Sequence, residues 1–276
     1  MSMTIRTNVA SLNAQRNLFS TQQEVDSSLS RLSSGYRITK AGDDAAGLGI
    51  SVNLEAQIRS YNQAARNAQD GVSVVQTAEG ALNEVTNIIT RMRELAMQSA
   101  SDGVGNTERG YIQKETDALK TEVNRIADAT EFNGRKLLND ATVSLTFQIG
   151  IRNVAANDRI SVTTVDVNLS SLGMSTLSLS SQTAAQNALS TIDAALQLVS
   201  KSRASLGAAG NRLTSVIQQI HSASENLSAA NSRIRDVDVA EESSKLTRAQ
   251  ILMQAGVSVL AQANQVPQLS LKLLQG

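Results

Sequence analysis

An unbroken spacing of seven links seven aliphatic residues in the second half of this chain. They are Ile192, Val199, Leu206, Leu213, Ile220, Leu227 and Ile234. Seven residues are nearly two turns of α-helix, so these side chains form one stripe along a single long helix. A strict heptad drifts about 20° per repeat against a straight helix, so a helix that keeps it wraps around partner helices. The pattern therefore predicts a coiled-coil-like bundle.

The first half of the chain carries a second stripe of the same period. Its members are Leu54, Tyr61, Ala68, Val75, Leu82, Ile89 and Ala96. Aromatic residues make up only 2% of the chain, Cys and Trp are absent, and the one proline is Pro267. Narrow helix–helix seams need little aromatic volume, and helices without proline run far without a kink. These two stripes are the predicted core of a long helical rod.

Shorter stripes at both ends predict two more helices. A helix over 4–33 would place Ile5, Leu12 and Phe19 on one seam, and the last segment repeats the spacing with Val239, Leu246, Met253 and Leu260. Between the long helices, alternating apolar residues near 143–149 and 160–167 predict two strands of a β-hairpin. We expect a mainly α fold, in which an antiparallel helical rod turns at a small β-hairpin and returns both termini to one end.

Charge and chemistry exclude several function classes. The 25 basic and 25 acidic residues balance, so nothing predicts binding to nucleic acid. No apolar run approaches the roughly 20 residues of a membrane span, and the amino terminus does not resemble a secretory signal peptide. His221 is the only histidine, and the pairs Asp43-Asp44 and Glu241-Glu242 fit helix caps or solvated faces. We expect no enzyme activity, no catalytic residue, no cofactor and no metal site.

Several long motifs at both ends carry a family resemblance. The amino-terminal half contains SLNAQRNL, SLSRLSSGYRITKAGDDAAGLGI and TRMRELAMQSA, and the carboxy-terminal part contains LTRAQILMQAGVSVLAQANQVPQ. EFNGRKLL followed by FQIG lies at the predicted hairpin. Together these segments resemble bacterial flagellin, in a minimal form that lacks large outer domains.

The resemblance implies a domain division and a function. Residues 1–44 and 236–276 would form a terminal coiled-coil domain at the filament core, and residues 45–235 a helical rod domain with a hairpin around 140–168. The stripe residues of the terminal helices would be the filament assembly residues, namely Ile5, Leu12, Phe19, Val239, Leu246, Met253 and Leu260. The chain would be an extracellular structural subunit that polymerises with itself, and with sister flagellins, into the filament for swimming. Implied partners are an export chaperone and the export apparatus, along with filament cap and junction proteins.

The resemblance also implies a contact with an innate immune receptor. The matching positions are Arg91, a forked cation, Leu95, an apolar contact, and Glu115, an acceptor. The family often has Gln before this arginine, whereas this chain has Thr90. The alternative role for the same three residues is packing within the filament.

Two other protein classes compete with the flagellin interpretation. A hook–filament junction protein shares the terminal motifs, but LAQANQVPQ at the carboxy-terminal end favours flagellin. A chemoreceptor-like signalling coiled coil would explain the heptads, but it would place a helical tip at mid-sequence where this chain has alternating strands.

Overall fold

Five long helices dominate the computed structural model, which describes residues 7–140 and 144–274, with side chains as far as residue 265. They are α1 (Val9–Ser34), α2 (Ala45–Ser99), α3 (Asn106–Ala129), α5 (Gln182–Arg235) and α6 (Val239–Leu274), and a single turn of helix forms α4 (Ala155–Asp158). The strands are β1 (Glu131–Phe132), β2 (Arg135–Lys136), β3 (Ser144–Gln148) and β4 (Arg159–Thr163). The prediction of a mainly α fold with a small hairpin is confirmed.

Local capping explains where these helices begin and end. The Asn8 side chain accepts a hydrogen bond from the Ser11 amide at 3.0 Å and starts α1. Gly35, with φ at 74°, ends the helix by donating its N–H to the Arg31 carbonyl. Asp44 accepts from the Gly47 amide at 2.8 Å in the first turn of α2, as expected for a capping carboxylate.

The chain divides into two compact units. We call Met1–Ala56 together with Asn226–Gly276 the terminal unit, and Gln57–Glu225 the middle unit. These boundaries fall inside α2 and α5, whereas the sequence places them at 44/45 and 235/236. The domain division implied by the family resemblance stays a prediction.

In the middle unit, α2 and α5 run antiparallel around one hydrophobic core. Arg93 pairs with Asp193 at 2.7 Å, while the Gln182 amide donates to the Ala100 carbonyl at 3.2 Å. Ten of the fourteen predicted stripe residues are buried here: Ala68, Val75, Leu82, Ile89, Ala96, Ile192, Val199, Leu206, Leu213 and Ile220. Each Val, Leu or Ile among them contributes roughly 1.5–3 kcal/mol by leaving water. The remaining four are half-buried, namely Tyr61 in the middle unit and Leu54, Leu227 and Ile234 in the terminal unit.

Two antiparallel hairpins lie in the middle unit. Strands β3 and β4 pair from Ser144 opposite Thr163 to Gln148 opposite Arg159, as the alternating residues predict. The shorter pair, β1 and β2, is closed by Asn133 and Gly134, whose φ values are 50° and 74°. Two successive positive φ values are typical of the type I′ turn that Asn-Gly favours. The sequence indicates that turn, but two-residue strands are too short to carry a period.

A Ser-rich segment after β4 packs into the core as irregular chain. Its apolar residues Leu172, Met174, Leu177 and Leu179 are buried. The side chains of α3 hold it in place: Asn124 accepts from the Leu169 amide, and Lys120 donates to the Leu177 carbonyl. The sequence predicts only loop or weak strand over 168–183, because serines separate the apolar residues and no helical or strand period appears.

Candidate assembly surface

The terminal unit is built on an antiparallel pair, α1 with α6. At one end the Asn8 amide donates to the Ala263 carbonyl, and the Ser11 hydroxyl donates to Asn264, both at 2.8 Å. At the other end Arg31 lies 3.7 Å from Glu242. These contacts fix the register of the two helices over their full described overlap.

Small side chains line the seam between the two helices. Ser11, Ala14 and Ser28 of α1 are buried, as is Ala249 of α6. A Cβ added at Gly256 would lie 3.3 Å from a Leu18 methyl group, so the helices approach closely there. On α6 the predicted heptad residues Leu246, Met253 and Leu260 are half-buried, as are the small residues Gly256 and Ala263. The seam is therefore narrow and buries little apolar surface.

Large apolar side chains of the same two helices face outward. Leu12, Phe19 and Val239 are 51%, 66% and 62% exposed, whereas the sequence places them on the seam. The buried positions of α1 are Ser11, Ala14 and Ser28, and Leu18, Val25 and Leu32 lie half-buried on the same helix. Exposed with Leu12, Phe19 and Val239 are Val9 and Leu29 on α1 and Ile251, Leu252, Val257 and Val259 on α6. Ile5, the first predicted assembly residue, lies outside the described residues.

The described residues of the terminal unit form no cluster of buried hydrophobic residues. Both clusters of buried hydrophobic residues found in the described chain consist of middle-unit residues. An exposed apolar face on a helix pair without a core marks a surface for association. The outward face of α1 and α6 is therefore the candidate assembly surface of this chain.

A charged cluster closes one end of the α1–α6 pair. Asp43 accepts hydrogen bonds at 3.0 Å from the backbone amides of Lys40 and Thr39 and from the Thr39 hydroxyl. These bonds lower the pKa of Asp43 to about 2, and the nearby Arg31 guanidinium acts in the same direction. The Asp43 carboxylate therefore stays ionised at physiological pH.

Of the three positions implied for receptor contact, two lie together at the surface and the third is buried. Arg91 of α2 pairs with Glu115 of α3 at 2.9 Å, so the two helices fold back on each other as that contact requires. Hydrogen bonds to the carboxylates of Glu94 and Glu115 raise the pKa of Arg91 above its ordinary value. Leu95, however, is only 2% exposed and lies in the core. It shares a helix with Arg91 but does not lie on the exposed face.

Features of other site classes are missing from the part of the chain that the structure describes. No group of three or more His, Cys, Asp or Glu side chains lies close enough to hold a metal ion over 7–140 and 144–274. Among those residues, no helix has the length and apolar character to cross a membrane.

Comparison with known proteins decides the family. The model of the bacterial flagellin N-terminal helical region matches residues 5–142, and that of the C-terminal helical region matches residues 189–274. The chain belongs to the bacterial flagellin family. Flagellin of Halalkalibacterium halodurans is 45% identical over 99% of this chain and its own full length. The flagellar filament 33 kDa core protein of Treponema phagedenis is 42% identical, also over 99% of this chain and its own full length.

Solved structures agree with the flagellin assignment. The crystal structure of Bacillus cereus flagellin covers 60% of this chain and 94% of its own, with a TM-score of 0.51 and 31% identity. A hook-associated protein of Vibrio parahaemolyticus covers 70% of this chain and all of its own, with a TM-score of 0.59 but only 14% identity. The second likeness concerns the fold alone and adds no support to the hook–filament junction interpretation.

Proposed function

We propose that this flagellin is an extracellular structural subunit that polymerises with copies of itself into the bacterial flagellar filament. The observation that carries the proposal is the apolar face of α1 and α6, which no part of the described chain covers. A second copy supplies the missing apolar surface. Repeated head-to-tail contacts between unlike faces give an open helical polymer, and they need no further chemistry from the chain.

The family relationship supports the same function. The relative from Treponema phagedenis is named as a flagellar filament 33 kDa core protein, and it aligns with this chain over its full length. Sister flagellins with similar terminal helices could enter the same filament. An export chaperone, the export apparatus and the filament cap and junction proteins complete the proposed partners.

Electron microscopy and sedimentation of the purified full-length chain test the proposal. The wild-type chain should form long filaments, and Phe19→Asp should block them, because Phe19 is 66% exposed and touches mostly solvent in the isolated chain. Asn17→Asp is the matched control, since it adds the same charge to the exposed side of the same helix without removing an apolar group. A wild-type chain that stays monomeric at high concentration contradicts the function. Filaments from Phe19→Asp contradict the assembly face.

We also propose that the charged pair Arg91 and Glu115 is the part of the implied receptor contact that a released subunit presents. Both side chains are about half exposed, at 51% and 46%. Arg91→Ala should lower receptor activation by the monomer without changing its fold. Undiminished activation by Arg91→Ala would mean that this pair is not a contact.

A further inference from the structure

One end of the α1–α6 pair holds a cavity of about 460 Å³ in the terminal unit. Glu242 lines it and is only 3% exposed, yet its Oε1 atom has no hydrogen-bond partner. A buried carboxylate without hydrogen bonds is costly, and native structures rarely keep one without a use. The cavity holds far more than the roughly 10–15 Å³ that one water needs, so a side chain also fits.

The cations nearest to Glu242 do not satisfy it. The Arg31 guanidinium lies 3.7 Å from Oε1 and also 3.6 Å from Asp43, so two carboxylates share it at long range. The Lys245 ammonium lies 3.7 Å from Oε2 but only 2.7 Å from Glu241, with which it forms its short contact. Arg37 and Arg233 also line the cavity, but neither forms an ion pair with Glu242, and Arg37 donates to the Ile234 carbonyl instead. Glu242 therefore keeps an acceptor site for one more charged donor.

Orphaned polar atoms are concentrated in the terminal unit. Among the described residues, the buried side-chain atoms without hydrogen-bond partners belong to Arg31, Asn231, Arg235 and Glu242. All four residues lie in the unit that also carries the uncovered apolar face. The same unit therefore contains buried polar atoms without hydrogen-bond partners and an apolar face that nothing covers. Both features are expected where a second subunit completes the contacts.

We propose that Glu242 accepts a Lys or Arg side chain from a second copy of this chain, which enters the cavity when subunits assemble. A cationic donor matches the acceptor chemistry of the free carboxylate oxygen, and a buried hydrogen-bonded ion pair fixes register between chains. The inference rests on the proposed function, because only a polymer places a neighbouring copy at this cavity. It adds a specific polar contact to an interface that is otherwise apolar.

The test measures the critical concentration for polymerisation of the full-length chain by sedimentation. Glu242→Gln should raise it about tenfold or more, since hydrogen bonds to charged groups are the strong ones. Glu24→Gln is the matched control, because Glu24 is exposed on α1 and does not line this cavity, and it should change the value little. The salt dependence of the critical concentration should also weaken in Glu242→Gln, as expected for a lost ion pair.

A variant that lacks Arg31 and Lys245 distinguishes the effect of a neighbouring copy's cation from the effect of these two residues. In Arg31→Gln/Lys245→Gln, Glu242 has lost both nearby cations. If a neighbouring copy supplies a third cation, Glu242→Gln still raises the critical concentration in this background. If none does, the substitution removes a lone buried charge and lowers the critical concentration or leaves it unchanged, which overturns the inference. Should this double variant not polymerise, the wild-type background decides: a critical concentration that Glu242→Gln leaves unchanged overturns the inference.

The two proposals fail differently. A wild-type chain that forms no filaments overturns the filament function and the inference with it. Wild-type filaments whose critical concentration is insensitive to Glu242→Gln overturn the inference alone.

Discussion

Leu95 and Arg91 lie one helical turn apart on α2, but their surroundings are opposite. Leu95 is packed in the core of the middle unit, whereas Arg91 is half exposed. Leu95→Ala should lower the free energy of unfolding by about 2–5 kcal/mol, because it leaves a cavity in a closed core. Arg91→Ala should have a much smaller effect on unfolding. Chemical denaturation of both variants checks the contrast, and equal stability for the two would place Leu95 at the surface.

The hydrogen bonds to the Asp43 carboxylate should depend on pH. Its folded pKa of about 2 lies below the ordinary value of 3.8, so its stabilising bonds are fully present above pH 4. They are lost as the pH falls from about 4 through 2, when the carboxylate gains a proton. NMR titration should place its midpoint near 2, with the amide signals of Thr39 and Lys40 changing together.

Asp43→Asn supplies the control for this titration. The amide signals of Thr39 and Lys40 should then show no transition in that range. A midpoint near 3.8 in the wild-type chain would mean that the three hydrogen bonds do not form.

At the scale of the helices and hairpins, two glycines should respond oppositely to alanine. Gly134 has φ at 74°, where a Cβ costs roughly 1–2 kcal/mol, so Gly134→Ala should weaken the β1–β2 hairpin. Gly110 lies inside α3 with no atom within 4 Å of an added Cβ, so Gly110→Ala should stabilise the helix by up to about 1 kcal/mol. Unfolding midpoints of the two variants test the pair. A shift in the same direction for both would contradict the turn geometry.

The α1–α6 pair should be less protected than the middle unit in the free monomer. Among the side chains that the structure describes, as far as residue 265, the buried apolar ones of this pair are Ala14 and Ala249, against an ordering cost of about 1–2 kcal/mol per residue. Hydrogen exchange on a verified monomer should be fast over 9–34 and 239–265 and slow over 74–96. Strong protection of both terminal helices in that monomer would contradict this expectation.

Sequence periodicity predicts the long helices better than the seam of the terminal pair. The stripe from Ile192 to Ile220 is made of large side chains, so the apolar pattern and the buried face coincide. In α1 the pattern selects Leu12 and Phe19, which are exposed, because apolar size does not distinguish an inner seam from an outer assembly face. Ser11 and Ala14 occupy the inner face, and the half-buried Leu18, Val25 and Leu32, seven residues apart, are the apolar signal that indicates it. Apolar periodicity alone does not show which of two apolar helix faces packs within the subunit and which contacts a neighbouring subunit.

On the scale of the whole molecule, the two units should respond separately to a change in the terminal seam. Leu260→Asp introduces a charge on the half-buried face of α6, and the hydrophobic clusters contain no residue from that unit. Filament formation and motility should be lost, while the thermal unfolding transition of the middle unit stays unchanged. Gln262→Asp, exposed on the same helix, is the matched control. Normal filaments from Leu260→Asp would mean that this seam is not buried in the polymer.

The hydrogen bonds from Asn8 to Ala263 and from Ser11 to Asn264 join residues that are 255 and 253 positions apart. Helix α1 leaves the ribosome before its partner residues are synthesised, because those residues follow it by 255 and 253 positions. At about 5–20 residues per second, α1 waits more than ten seconds for them. A nascent or truncated chain therefore cannot present the paired surface, whatever the state of its middle unit. Because the α1–α6 surface needs residues 263 and 264, only a chain that extends that far can form it and join a polymer.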